Sequence, residues 1–161
     1  MTQPDPTLAE ITAAVELGRG GDRAGARERL VAVWERLSPD GDPLHRVSCA
    51  HFLADLQDDV REELGWDERA LAAVEDLTDE RVRQHTTAMQ VRGFLPSLHL
   101  NLADCHRRLG DPTRAHEHLA EAERSVDALA EDGNGRTLRG TLQHVRDALN
   151  TGSIEPLPTA P

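Results

Sequence analysis

A pattern of ten residues, GDxxxAxExL, occurs twice in this chain of 161 residues. Its first copy runs from Gly21 to Leu30 and its second from Gly110 to Leu119. Glycine reverses the chain at little steric cost, aspartate caps a helix, and a small alanine lets two helices approach closely. Each copy therefore predicts a hairpin of two packed helices with its turn at Gly-Asp.

A third and weaker copy is found between the first two. It sets Leu53-Ala54-Asp55 beside Leu102-Ala103-Asp104, and Leu64-Gly65 beside Leu109-Gly110, with four extra residues between its halves. The apolar stripe after Leu53 can continue to Gly65, or it can break near Asp58, where Asp59 starts a capping box. The break is favoured.

Apolar residues at helical spacing predict further helices along most of the chain. We expect them over 7–18, 22–37, 43–58, 59–77, 112–129 and 136–151, with 79–109 forming either one kinked helix or two. The composition agrees, because only four residues are aromatic and none is tyrosine. Leu, Val and Ala must then fill the core, which favours packed helices and excludes a β-sandwich.

Charge and the lack of long apolar runs narrow the classes of partner. The formal net charge is −11 and the pI is near 5.1, which disfavours nucleic acid and anionic lipid because both are bound through Lys and Arg. No window has the apolar length of a membrane helix, and the first residues lack the pattern of a signal peptide. Two cysteines without CxxC spacing predict free thiols in a reducing cytoplasm.

Between residues 97 and 122 the sequence resembles a unit of the tetratricopeptide repeat (TPR) family. The resemblance rests on the Leu102-Ala103 pair, the Gly110-Asp111 turn, and the small residues Ala115 and Ala122. His99 and His106 stand where the family has Trp and Tyr, and the earlier units are irregular in length, so the array is degenerate.

The resemblance implies an all-α, right-handed array of antiparallel helix hairpins. It would have about three units in residues 7–131 and a capping helix over 136–151. The whole repeat domain is expected to occupy residues 7–152, between a flexible N-terminus at 1–6 and a disordered tail at 153–161.

In this family the first helix of each unit lines a concave binding face. Here that face corresponds to Ser97, Leu100, Asn101, Asp104, Arg107 and Arg108. Arg92 and Phe94 flank a predicted helix break, where Phe94 would serve as a hydrophobic anchor. The resemblance therefore implies an adaptor that binds a protein or a peptide.

The distribution of charge suggests the kind of partner. Residues 55–80 contain eleven acidic side chains and two arginines, whereas residues 81–118 contain six arginines, three acids and five histidines. The simplest interpretation of each stretch is that its charged side chains cover solvated outer faces of helices. The basic stretch also has the charge to steer an acidic peptide toward the chain.

Three alternatives compete with the adaptor. No nucleophile beside a base and no phosphate-binding glycine loop occurs in the context that catalysis requires, so an enzyme and a cofactor are not expected. A metal site could combine His45 with Cys49, or His99 with Cys105 or His106, but cysteine more commonly serves as a small core residue. His116 and His118 point to different sides of one helix and cannot chelate together.

The remaining alternative is a structural homo-oligomer in which another copy of the chain fills the groove.

Overall fold

The computed structural model of the chain describes residues 4–37, 39–83, 95–126 and 133–157. Within these ranges the chain forms eight α-helices and no strand, which confirms the prediction of an all-α fold. The helices are α1 (Pro6–Arg19), α2 (Arg23–Arg36), α3 (Pro43–Asp55), α4 (Val60–Val74), α5 (Asp79–Arg83), α6 (Leu95–Arg108), α7 (Pro112–Ser125) and α8 (Gly133–Asn150). None of these helices combines the length and the apolar character that crossing a bilayer requires.

The contacts within the chain divide it into two compact units. Unit 1 spans Met1–Val91 and contains α1 to α5, and unit 2 spans Arg92–Pro161 and contains α6 to α8.

Two helix hairpins make up most of unit 1. One is formed by α1 and α2 and the other by α3 and α4, and α3 also packs against α1 and α2. The first hairpin is closely packed, because a Cβ placed on Gly18 would lie only 3.2 Å from the Cβ of Ala26. Ala26 itself is fully buried, as the repeat pattern predicts.

The turn between α1 and α2 has the hydrogen bonds of a Schellman motif. The Gly21 N–H donates to the Gly18 carbonyl, and the Asp22 N–H donates to the Leu17 carbonyl, each at 3.1 Å. Gly21 has a φ of +108°, which only glycine adopts readily. Asp22 then caps α2, because its carboxylate accepts a hydrogen bond of 2.8 Å from the Gly25 N–H.

The second copy of the pattern forms the same turn between α6 and α7. The Gly110 N–H donates to the Arg107 carbonyl at 3.1 Å, and the Asp111 N–H donates to the His106 carbonyl at 2.8 Å. Gly110 has a φ of +79°, and Asp111 caps α7 by accepting from the Arg114 N–H at 3.1 Å. Both predicted hairpins and both caps are therefore confirmed.

The third copy does not form its turn at the matching glycine. Helix α3 ends at Asp55 and α4 begins at Val60, so Gly65 lies inside α4. The pairing of Gly65 with the turn glycine Gly110 is wrong, and the favoured break near Asp58 is confirmed. Asp59 decides the boundary, because its carboxylate accepts from the N–H groups of Arg61 and Glu62 and so starts a new helix.

Unit 2 is built around a core contributed by all three of its helices. Helix α8 packs against both members of the α6–α7 hairpin. The core residues are Leu100, Ala103, Ala115, Leu119, Ala122, Leu142, Val145 and Leu149. Leu157, beyond the end of α8, packs against this cluster as well.

Some predicted boundaries move or lie outside the described residues. Helix α8 begins at Gly133, three positions before the predicted start, so Gly133 and Gly135 lie in its first turn. The predicted end of the preceding helix at Leu129 lies outside the described residues. The junction at 84–94 also lies outside the described residues. Whether residues 79–109 form one kinked helix or two therefore stays open.

Candidate functional site

Four of the predicted binding residues form a polar strip along α6. Ser97, Asn101, Asp104 and Arg108 recur at intervals of three and four positions, so they share one face of the helix. All four are half-buried. We call them the α6 polar strip.

Two other predicted binding residues are buried. Leu100 belongs to the core of unit 2 and is 3% exposed, and the side chain of Arg107 is 2% exposed. Neither side chain is accessible to a partner. Leu100 packs in the core, and Arg107 donates hydrogen bonds to Asp104 of the strip.

Asp104 is held between two arginines. Its Oδ1 accepts from Arg107 Nε at 3.0 Å and Nη2 at 2.6 Å, and its Oδ2 accepts from Arg108 Nε at 2.9 Å. Arg107 also donates from Nη1 to the carbonyl oxygen of Ser153 at 2.8 Å. One carboxylate thus holds two guanidinium groups at one end of the strip.

The two remaining predicted binding residues, Arg92 and Phe94, lie outside the described residues. The role of Phe94 as a hydrophobic anchor therefore stays a prediction.

A cluster of three histidines in unit 2 was missed from the sequence. His99 on α6 and His118 on α7 bring their Nδ1 atoms within 3.1 Å of each other. The ring of His106 lies parallel to that of His118, at an angle of 3° and with centroids 5.4 Å apart. The repeat predicts that α6 and α7 pack together as one hairpin, but it does not predict which of their side chains meet.

Burial keeps the histidine pair uncharged near neutral pH. It lowers the pKa of His99, assisted by Arg124 and opposed by Glu121. Burial also lowers the pKa of His118 to about 4, reinforced by His99, His106 and Arg114. Both imidazoles are therefore neutral at pH 7.

In unit 1 the structure does not bring His45 and Cys49 together as metal ligands. The Nε2 of His45 lies 2.8 Å from Oδ2 of Asp5, while the thiol of Cys49 donates to the Leu30 carbonyl at 3.2 Å. Burial raises the pKa of Cys49 to about 12, so its thiol stays protonated and is a poor metal ligand. Cys49 takes the core role that the sequence favoured.

An ionic group in unit 1 joins the starts of three helices. Asp5 caps α1 through the Thr7 and Leu8 N–H groups, at 3.1 and 3.0 Å. Its carboxylate also accepts from His45 and, at 2.9 Å, from Nη2 of Arg81 on α5. Arg81 Nε donates to Asp42, the cap of α3, at 2.7 Å.

A solvent-open cavity of about 220 Å³ also lies in unit 1. Its lining is Val15, Gly18, Arg19, Arg23, Phe52, Asp55 and Leu56. Its two arginines already pair with acids of the same unit, Arg19 with Glu16 at 3.0 Å and Arg23 with Asp58 at 3.6 Å. Its remaining charged side chain, Asp55, interacts electrostatically with His51 and Arg23. The charged groups of the cavity thus have partners within unit 1, and the cavity is a weaker candidate than the α6 polar strip.

Parts of the acidic stretch at 55–80 are likewise used within unit 1. Asp58 lies 3.4 Å from Arg27, and Asp76 accepts from Arg46 at 2.9 Å. These carboxylates are surface charges with local partners, which agrees with their interpretation as solvated helix faces.

Comparison with family models, with curated proteins and with solved structures finds no match to this chain. Membership of the TPR family therefore stays a prediction from the residues.

Proposed function

We propose that this chain is a non-enzymatic adaptor that binds a protein or peptide partner at the α6 polar strip. In this proposal its hairpins stack as a degenerate TPR-like, right-handed array, with α8 as the cap. The partner is held by burial in a groove and by matching of charge, and no covalent bond is made or broken.

The observation that carries the proposal is the repeated hairpin. Gly21 and Gly110 adopt positive φ angles in turns with the same hydrogen bonds, and Asp22 and Asp111 cap the helices that follow. A recurring helix hairpin is the building unit of helical arrays, which present the faces of successive helices to a partner.

The hydrogen-bond donors of the strip support an acidic partner. Asp104 holds the guanidinium groups of Arg107 and Arg108 on α6, and the amide of Asn101 lies on the same face of the helix as Asp104 and Arg108. The side chain of Arg108 is 18% exposed, and interactions with such a partly desolvated cation are stronger than those at a fully hydrated one. An acidic or carboxylate-bearing peptide segment fits these donors.

Two features support a cytoplasmic adaptor. Cys49 and Cys105 are free thiols buried in the protein, which suits a reducing compartment. The chain also has a strong negative charge, which disfavours binding to nucleic acid and anionic membranes.

Selection from a random peptide library displayed on phage tests the proposal and leaves the sequence of the partner open. We expect the enriched peptides to be acidic and to bind the purified chain in fluorescence anisotropy. Asn101→Ala and Arg108→Glu should each weaken binding about tenfold or more, the effect of losing one charge-assisted or buried hydrogen bond.

Arg114→Glu is the matched control, because it makes the same change of charge at an exposed position on α7. It should leave the affinity unchanged. A thermal melt of each variant checks that it is folded. If all folded variants bind the peptides equally well, the α6 polar strip is not the binding site. If no peptide is enriched, the adaptor function itself is contradicted.

A further inference from the structure

The meeting of His99 and His118 joins two helices of one hairpin through their imidazole rings. The two Nδ1 atoms are 3.1 Å apart, the ring planes are inclined by 30°, and the ring centroids are 5.3 Å apart. Both residues are half-buried. In the metal-free chain one ring donates its Nδ1–H to the Nδ1 lone pair of the other.

We propose that His99 and His118 bind one divalent transition-metal ion through their Nδ1 atoms. The chemical class is that of ions which accept imidazole, such as Zn²⁺, Ni²⁺ and Cu²⁺. The site is independent of the peptide-binding function proposed above.

The spacing of the two nitrogens fits a shared ion. With each nitrogen about 2.0–2.1 Å from the ion, a separation of 3.1 Å gives an N–metal–N angle of about 98°. That angle lies between the right angle of a tetragonal site and the tetrahedral angle. The distance between the two nitrogens therefore suits two adjacent ligands of one ion, and a turn of the rings aims both lone pairs at it.

Metal binding requires the proton that lies between the two rings to move, because both Nδ1 lone pairs must then point to the ion. Binding through both Nδ1 atoms places one proton on the Nε2 of each ring. The proton held between the rings thus moves to an Nε2 atom, and the net proton count of the pair does not change.

The surroundings restrict the orientation of one ring and bring charges of both signs near the pair. The parallel ring of His106, 5% exposed, packs against His118 and limits its rotation. Glu121 lies one turn after His118 on α7, and its carboxylate acts electrostatically on both imidazoles. Arg114 and Arg124 oppose the ion, and Arg124 is already paired with Glu121. Water completes the coordination.

Calorimetric titration of the untagged full-length chain with ZnCl₂ and, separately, NiCl₂ tests the site. We expect one ion per chain. His99→Gln and His118→Gln should each weaken binding at least tenfold, because a single remaining imidazole has no second ligand at this position. His116→Gln is the matched control, since His116 is exposed on the same helix and should leave the affinity unchanged.

A second readout does not depend on the folding of any variant. In the wild-type chain, Zn²⁺ should shift the imidazole NMR signals of His99 and His118 and leave that of exposed His144 in place. No binding of either ion by the wild-type chain would overturn the proposal, as would an equal loss of affinity in His116→Gln or equal shifts at His144.

Discussion

At the scale of single residues, the two glycines of the repeat are not interchangeable with other glycines of the chain. Gly110 has a φ of +79°, whereas Gly140 lies inside α8 without such a constraint. A Cβ on either residue would meet no atom within 4 Å apart from those of its chain neighbours and of the nearby helix backbone. A difference in the free energy of unfolding between the two alanine variants is therefore caused by backbone conformation and not by steric clashes of the new Cβ.

Gly110→Ala should lower the free energy of unfolding by about 1 kcal/mol, because an L-residue is strained at positive φ. Gly140→Ala should raise it by about 0.5–1 kcal/mol, because alanine is the better helix former. Urea denaturation of both variants measures the two changes. If Gly110→Ala proved as stable as Gly140→Ala, the left-handed turn would not be present in solution.

At the scale of helices, Asp5 joins α1 by hydrogen bonds to α3 and α5, which are distant from it in sequence. Desolvation opposes its ionisation, but hydrogen bonds from His45, from the Leu8 N–H and from Arg81 outweigh it, so the pKa of Asp5 lies well below its ordinary value. Asp5 thus stabilises the folded chain while it is ionised. This contribution is complete above the ordinary pKa of 3.8 and is lost as the pH falls below it.

Asp5→Asn retains a good helix cap but removes the charge that His45 and Arg81 contact. We expect it to lower the free energy of unfolding by about 1–2 kcal/mol at pH 7. The difference from the wild type should shrink as the pH is lowered below 3.8, because Asp5 then takes up a proton in the unfolded chain while it stays ionised in the folded one. Urea titrations at a series of pH values measure this, and a difference that does not change with pH would contradict the ionic role of Asp5.

The sequence predicts local elements better than it predicts contacts between them. Gly21, Asp22, Gly110 and Asp111 indicate their turns and caps because those features depend on residues a few positions apart. Asp5 falls in the predicted flexible N-terminus, since nothing near it in the sequence shows that Arg81 will contact it.

The candidate site follows the same division. The residues of the α6 polar strip are proposed from the resemblance to a TPR unit, and as a binding site they stay a prediction. The burial of Leu100 and Arg107 and the pairing of His99 with His118 could not be predicted, because each depends on how α6 packs against another part of unit 2. Such packing is set by several side chains at once and leaves no short motif.

At the scale of the whole molecule, the net charge of −11 bears on self-association. Copies of the same acidic chain repel one another at long range, and this favours a monomer unless a specific interface offsets the repulsion. An adaptor that binds a foreign partner has its site free in the monomer. The homo-oligomer considered from the sequence would instead fill it with another copy.

Sedimentation velocity at physiological salt should therefore give a mass near 17.7 kDa over a wide range of concentrations. Raising the salt concentration should leave that mass unchanged, because screening alone creates no interface. A mass that increases with concentration and returns to 17.7 kDa in Asn101→Ala would favour the homo-oligomer over the adaptor.

The hydrogen bond from Arg107 to the Ser153 carbonyl has a practical consequence for anyone who shortens or tags this protein. A chain cut directly after Asn150 loses the acceptor and leaves a guanidinium group enclosed in the protein with one donor unsatisfied, which is costly. Expression tags are therefore better fused ahead of Met1, and truncations should keep the chain through Leu157, which retains both the Ser153 acceptor and the packing of Leu157 against the core.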